Sequence, residues 1–170
     1  MRLRRVLTGI AILVATGAIA TTASAVSPTS WQPFRSEPFT DAAGEVCPFA
    51  VRGDVVSDHE LMRTLARYPD GSPQEQEFVG PLMIKYTNLS TGASVERNLT
   101  GTGYFFFDPD GTIRGHGLGH IGIAIHTGNV APPPGEYVLT GSFDFVLNSD
   151  GTRSFDVQGG TVENLCTTLA

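Results

Sequence analysis

Cysteine and basic side chains are scarce in this sequence. Its 170 residues include two cysteines, and 11 Lys and Arg stand against 17 Asp and Glu, which gives a net charge of −6. Nucleic acids and anionic lipid surfaces bind to clustered Lys and Arg, so neither is an expected partner. Two cysteines cannot by themselves complete a zinc site. No metal and no cofactor are therefore predicted.

Long apolar runs are also missing, apart from one at the start of the chain. Arginines precede that run, which covers residues 6–20, and Ala23-Ser24-Ala25 follows it as a small-x-small cleavage pattern. The run is shorter than a membrane span. We therefore predict a signal peptide at 1–25, secretion, and a mature chain without a membrane anchor. Losing three arginines moves the net charge to −9.

The two cysteines lie at opposite ends of the predicted body. In an exported chain the simplest expectation is a disulfide between Cys47 and Cys166, which are 119 positions apart. A reactive thiol is the alternative, but an oxidising compartment disfavours it. The disulfide would join the first strand to the end of the chain.

A stretch of sequence occurs twice, forty positions apart. Leu99-Thr100-Gly101 leads through Phe105 to an Asp-Gly-Thr turn, and Leu139-Thr140-Gly141 leads through Phe145 to a second one. Asp and Gly favour the tight turns that join antiparallel strands. The repeat therefore predicts two equivalent hairpins.

Apolar and polar residues alternate in most of the chain after residue 46, as in strands with one buried face. In the segment after Pro134-Gly135, for example, Tyr137, Leu139, Phe143 and Phe145 are expected to face away from Glu136. Regular turn signals separate these segments. We predict an all-β fold at 46–170, an antiparallel barrel of about eight strands with a β-sandwich as the alternative. The Pro- and Ser-rich residues 26–45 are predicted to form an extended arm.

Two segments also fit helices. Residues 57–68 begin with a capping-box pattern and have apolar residues at helical spacing, although a strand leading into Pro69-Asp70-Gly71 is favoured because it would complete a hairpin. At the end of the chain, Val162, Leu165 and Leu169 recur at helical spacing after Thr161. This pattern predicts a short C-terminal helix.

Histidines and glycines are concentrated at residues 113–127. His116, His120 and His126 would share one face of a strand, but the first two would stand about 13 Å apart, too far to converge on one zinc ion. The glycines lack the phosphate-loop pattern and instead indicate bulges or close backbone contacts. Three interpretations remain for the histidines: a solvated face, orientation of a ligand, or a chemical role in acid-base catalysis or metal binding, with His116 and His120 as the catalytic candidates.

Catalytic motifs are absent from the sequence. It contains no Gly-x-Ser-x-Gly elbow and no complete calcium loop, and a zinc-protease motif is not found. Enzymatic activity is therefore uncertain, and the balance is against it.

The chain from Cys47 to its end resembles a group of small exported actinobacterial proteins. The resemblance rests on Cys47-Pro48-Phe49, Gly80-Pro81-Leu82 and the ending Glu163-Asn164-Leu165-Cys166. It implies an exported, β-rich protein. Gly159-Gly160-Thr161 is similar to a dirigent tripeptide, and a more distant likeness connects the chain with lipocalin-like and allene-oxide-cyclase-like barrels. Those barrels bind or reshape small apolar molecules.

The favoured functional hypothesis is a secreted protein that binds a small, largely apolar molecule inside the barrel. A surface interaction or inhibitor module and a barrel isomerase or cyclase are the alternatives. A solidly filled interior would argue against ligand binding. The candidate ligand-binding residues are Tyr86, His116, His120, Tyr137, Phe143 and Phe145.

Overall fold

The computed structural model describes residues 27–129 and 131–170, so the predicted signal peptide at 1–25 lies outside the described residues. Two antiparallel sheets and one short helix make up this part of the chain. The all-β prediction is thus confirmed together with the C-terminal helix. The sheets do not form a closed barrel among the described residues.

The larger sheet has seven strands in the order β1-β4-β5-β8-β9-β10-β11, and the smaller has four in the order β2-β3-β6-β7. The elements are β1 (Gln32–Pro33), β2 (Phe39–Asp41), β3 (Val51–Asp58), β4 (Leu61–Arg67), β5 (Pro73–Gly80), β6 (Leu82–Asn88), β7 (Ser94–Asn98), β8 (Gly101–Phe107), β9 (Ile113–Ile125), β10 (Gly135–Leu147), β11 (Arg153–Asn164) and α1 (Leu165–Thr168). The helix is shorter than its sequence pattern, because residues 161–164 complete β11.

Three hairpins lie side by side in the seven-stranded sheet. The two hairpins predicted from the repeat, β8-β9 and β10-β11, are confirmed. The β4-β5 hairpin predicted from Pro69-Asp70-Gly71 is confirmed as well, with β4 at Leu61–Arg67 and the same kind of turn. In each turn an aspartate carboxylate accepts a backbone N–H two residues ahead, at Asp70, Asp110 and Asp150. These aspartates therefore stabilise turns, and the forty-residue repeat has a third copy in which the Pro-Asp-Gly turn is kept.

A row of glycines crosses this sheet where its strands bend. Gly80, Gly101, Gly119, Gly141 and Gly160 are paired in register on five successive strands. At Gly141, φ is +109°, and a methyl group would lie 1.8 Å from the Gly159 carbonyl oxygen. A side chain does not fit at a position where two strand backbones lie this close together. The prediction that strand glycines mark close backbone contacts is confirmed here.

Strand β10 is buried on both faces at its start. Tyr137, Leu139, Phe143 and Phe145 belong to one apolar cluster, as the alternation predicted. Val138 instead joins the second cluster, which lies against the four-stranded sheet. Glu136 points the same way as Val138, since side chains alternate along a strand. The prediction that only one face of this strand is buried was therefore wrong.

The C-terminal segment is fixed to the four-stranded sheet. The predicted disulfide between Cys47 and Cys166 is present, and the Asn88 side-chain amide donates a hydrogen bond to the Leu169 carbonyl. Closing a loop of this length stabilises a fold by up to about 5 kcal/mol, through the entropy of the unfolded chain.

Residues 27–45 are packed onto the rest of the fold. Gln32–Pro33 pairs with β4, Phe39–Asp41 pairs with β3, and the Phe34 ring contacts Phe78 edge-on at 5.0 Å between centroids. The segment predicted as an extended arm at 26–45 therefore contributes one short strand to each sheet. Composition indicated a linker because the few apolar residues in this segment have no periodicity.

Candidate functional site

Two adjoining cavities lie where the four-stranded sheet diverges from the seven-stranded sheet. Their volumes are about 280 Å³ and about 670 Å³. Phe34, Leu82, Leu99 and Gly122 line both of them. The two spaces therefore adjoin along these shared residues, and both are open to the surface.

The larger cavity contains a buried carboxyl group on β10. Glu136 is only 2% exposed, and its Oε2 atom has no hydrogen-bond partner among the described residues. Its backbone N–H donates to Cys166 Sγ at 3.4 Å, which ties this part of β10 to the disulfide. A buried carboxyl oxygen without a partner costs stability. Such a group in a cavity indicates a role other than packing.

Burial raises the pKa of Glu136 to about 8, from an ordinary value of 4.5. Loss of water is the largest cause, and the nearby Asp41 carboxylate acts in the same direction. The Arg153 guanidinium and the Tyr86 hydroxyl favour the ionised form and oppose the increase. At neutral pH Glu136 is therefore mainly protonated, and its ionised form is a stronger base than an ordinary carboxylate.

Asp41, on β2, supplies a second carboxyl group to the same cavity. Its Oδ2 atom is also buried and has no partner among the described residues. Burial raises the pKa of Asp41, while His126 and Arg153 act against the increase. Both of these basic side chains line the cavity. Five polar groups from different parts of the chain thus converge on one space.

Tyr86 and Gly122 form the wall beside Glu136. The Tyr86 side chain is 1% exposed, and contact with Glu136 adds to the burial that raises the pKa of its hydroxyl. A methyl group at Gly122 would lie 2.7 Å from the Tyr86 hydroxyl oxygen and 3.8 Å from Glu136 Oε1. Only a glycine here leaves room for the phenol to reach the carboxyl group.

The smaller cavity has a polar edge of its own. Glu60 lies at this edge, where it accepts a hydrogen bond from the Ser36 hydroxyl at 2.7 Å. Burial raises the pKa of Glu60, the Ser36 hydrogen bond opposes the increase, and Asp58 adds to it. His120 lines the same cavity, with Nδ1 3.0 Å from Thr140 Oγ1. The phenyl rings of Phe34, Phe78, Phe105 and Phe143 supply its apolar walls.

The candidate residues from the sequence analysis are divided between several places. Tyr86 lines the larger cavity, and His120 and Phe143 line the smaller one. His116 lies outside both, 43% exposed in its side chain, where Nδ1 is 2.7 Å from Asp144 Oδ1. Tyr137 donates its hydroxyl hydrogen to the Pro133 carbonyl.

Phe145, like Tyr137, belongs to the apolar cluster on the other face of β10. It contacts the Phe105 ring edge-on at 5.1 Å between centroids. The ring lies over Gly115, where a methyl group would be 1.9 Å from it. Neither Phe145 nor Tyr137 lines the two adjoining cavities.

Sequence reasoning missed the most unusual residues of the site. Glu136 occupied a position expected to be solvated, and Asp41 lay in the predicted arm. Arg153 follows a turn and resembles an ordinary surface residue. The one available signal was the placement of Glu136 between Gly135 and Tyr137, directly after a proline-rich turn, which is too common a pattern to single it out.

No group of three or more His, Cys, Asp and Glu side chains suited to a metal ion occurs within residues 27–129 and 131–170. In the same part of the chain, no helix is long and apolar enough to cross a membrane. Comparison with protein-family models, curated proteins and solved structures found no match.

Proposed function

We propose that this protein binds a small, largely apolar molecule in the two adjoining cavities. The observation that carries the proposal is the space itself. The smaller cavity is walled mainly by aromatic and aliphatic side chains, and the larger one combines such side chains with a group of charged ones. Sites for small ligands combine these features and commonly have volumes of roughly 300 to 1,000 Å³. The larger cavity, at about 670 Å³, falls in this range.

The polar groups would fix the orientation of the ligand. Phe34 and Leu99 offer contacts to an apolar body, whereas Glu136 and Asp41 present carboxyl oxygens without partners among the described residues. A ligand hydroxyl would satisfy such an oxygen and recover part of its desolvation cost. We therefore expect an apolar molecule with one polar end.

The alternative of a surface interaction module has weaker support. Large exposed apolar side chains are spread over different strands and loops, which does not favour a single contact patch. They are Trp31, Val56, Leu61, Leu89, Leu118 and Val162.

The two sheets would enclose the ligand between them. Arg97 on β7 makes two hydrogen bonds to Glu163 on β11, at 2.6 and 2.7 Å, and thus links an edge of each sheet. We propose that the sheets together act as a barrel-like container. The Cys47–Cys166 disulfide supports the further proposal that the container works outside the cytoplasm.

Phenylnaphthylamine, a neutral fluorescent probe of apolar sites, tests the proposed binding. We expect saturable binding with a micromolar dissociation constant. Ala124→Leu places extra side-chain volume in the larger cavity and should weaken binding at least tenfold, because Ala124 lines that space. Ala93→Leu makes the same change at an exposed position and should have no effect. Absent or non-saturable binding, or equal binding by both variants, would overturn the proposal.

A further inference from the structure

We infer that Glu136 is a general base that removes a proton from a weakly acidic C–H group of a molecule held in the larger cavity. The inference rests on the proposed function, since the molecule must first bind there. The class of substrate is an apolar compound with a hydrogen on carbon next to a carbonyl or a comparable activating group. The class of reaction is isomerisation by proton transfer.

The first support is the position of Glu136. Its carboxyl group lines a cavity, is almost fully buried, and has Oε2 without a hydrogen-bond partner among the described residues. A structural carboxyl group is ordinarily paired or hydrogen-bonded when it is buried. An available oxygen beside an open space can instead accept a proton from a bound molecule.

The second support is the set of charged and titratable groups that face Glu136 from the neighbouring elements. Asp41 approaches from β2, Tyr86 from β6 and Arg153 from β11. The charged or titratable side chains of Arg35, Glu37 and His126 line the same cavity. Asp41 makes the Glu136 carboxylate more basic, and burial does the same. The guanidinium and the phenol can stabilise negative charge that develops on a substrate oxygen.

The proposed step is balanced without a co-reactant. The Glu136 carboxylate takes the proton from carbon, and the electron pair of the broken C–H bond moves into the adjacent carbonyl to give an enolate. The enolate oxygen is stabilised by Arg153 and Tyr86. In a β,γ-unsaturated carbonyl compound the enolate extends over the carbon–carbon double bond, and the Glu136 carboxylic acid returns its proton to the γ carbon. The double bond has then moved to the α,β position, and nothing is oxidised or reduced.

Nitrobenzisoxazole is a suitable probe because its breakdown reports a base in an apolar cavity. The base takes the ring C–H proton, the electron pair completes a nitrile, and the N–O bond breaks to release a coloured cyano-nitrophenolate. We expect the protein to accelerate this reaction over buffer, with a rate that rises through an inflection near pH 8 as Glu136 ionises.

Glu136→Gln should lower the rate about 100-fold, the lower part of the range for a positioned base. It should still bind phenylnaphthylamine. Glu96→Gln is the matched control, because Glu96 is exposed on β7 and lies outside the cavities. Its rate and pH profile should equal those of the unchanged protein.

Asp41→Asn provides a second, independent measurement should Glu136→Gln fold poorly. Removing the neighbouring negative charge should move the inflection of the pH profile to lower pH. Two results would overturn the inference and leave the proposed function intact. In the first, the protein binds phenylnaphthylamine but does not accelerate the breakdown of nitrobenzisoxazole. In the second, it binds phenylnaphthylamine but the Glu136→Gln rate equals that of the Glu96→Gln control. An inflection that does not move in Asp41→Asn would also overturn the inference. Loss of all phenylnaphthylamine binding would instead refute the proposed function.

Discussion

The burial of Glu136 makes the stability of this protein depend on pH in a predictable direction. In the folded state its pKa is raised to about 8, whereas the unfolded chain exposes the group to water and restores a value of 4.5. Between these two pH values the folded state holds a proton that the unfolded state releases. The contribution of Glu136 to stability is therefore fully present below pH 4.5 and is lost as the pH rises towards 8.

The size of the effect follows from the two pKa values. Each pH unit inside the window removes about 1.4 kcal/mol of unfolding free energy, so that the whole window amounts to about 5 kcal/mol. Roughly 3 to 4 kcal/mol of this falls between pH 5 and pH 8. Such a loss is a large fraction of the stability of an ordinary domain.

Replacing Glu136 with glutamine isolates this effect. Glutamine has almost the same shape but does not titrate, so the variant should lack this part of the pH dependence. Urea unfolding of both proteins, with the disulfide intact, gives the unfolding free energy at each pH from 5 to 8. We expect the unchanged protein to lose roughly 3 to 4 kcal/mol more than Glu136→Gln over that range.

Other groups titrate in both proteins and cancel in the comparison, as long as their surroundings are unchanged. Glu96→Gln, a substitution at an exposed carboxylate, should leave the slope of stability against pH as it is. Parallel stability curves for the unchanged protein and Glu136→Gln would refute the assignment of Glu136 as a buried, mainly protonated group. The basicity argued for the proton-transfer site would then fail with it.

Two further predictions concern the framework around the site. Gly141→Ala should lower the unfolding free energy by at least about 3 kcal/mol, because the added methyl group would overlap the backbone. Gly159→Ala is the control: its methyl group has open space, so the unfolding free energy should change by less than about 1 kcal/mol. Equal midpoints of urea unfolding for the two variants would contradict the role of the glycine row. Replacing both Cys47 and Cys166 with alanine should lower the unfolding free energy by up to about 5 kcal/mol and lower the thermal midpoint of unfolding. An unchanged midpoint would contradict stabilisation of the fold by the cross-link that closes this long loop.

Local patterns in the sequence were sufficient for much of the framework. Asp-Gly turns specify hairpins because only certain residues tolerate their backbone angles, and alternation specifies a buried face because strand side chains point to opposite sides. The cluster around Leu139 and Phe143 and the disulfide follow from such rules. The third hairpin was also predicted, from its Pro69-Asp70-Gly71 turn, but its equivalence to the repeat was not, because the strands around Asp70 and Asp110 differ in sequence.

The cavity and its polar groups depend on how the two sheets meet, and no local pattern contains that information. Alternation places Glu136 opposite Tyr137, but whether that opposite face meets water or another sheet is decided by strands far away in the chain. Asp41 likewise becomes part of the site only because its segment pairs with β3. The sequence by itself thus determined strands and turns, which depend on short-range geometry, and the sulfur cross-link, for which it offers a single pair of cysteines. Tertiary packing alone decided which carboxyl groups lose their water, and with that the chemistry available to the protein.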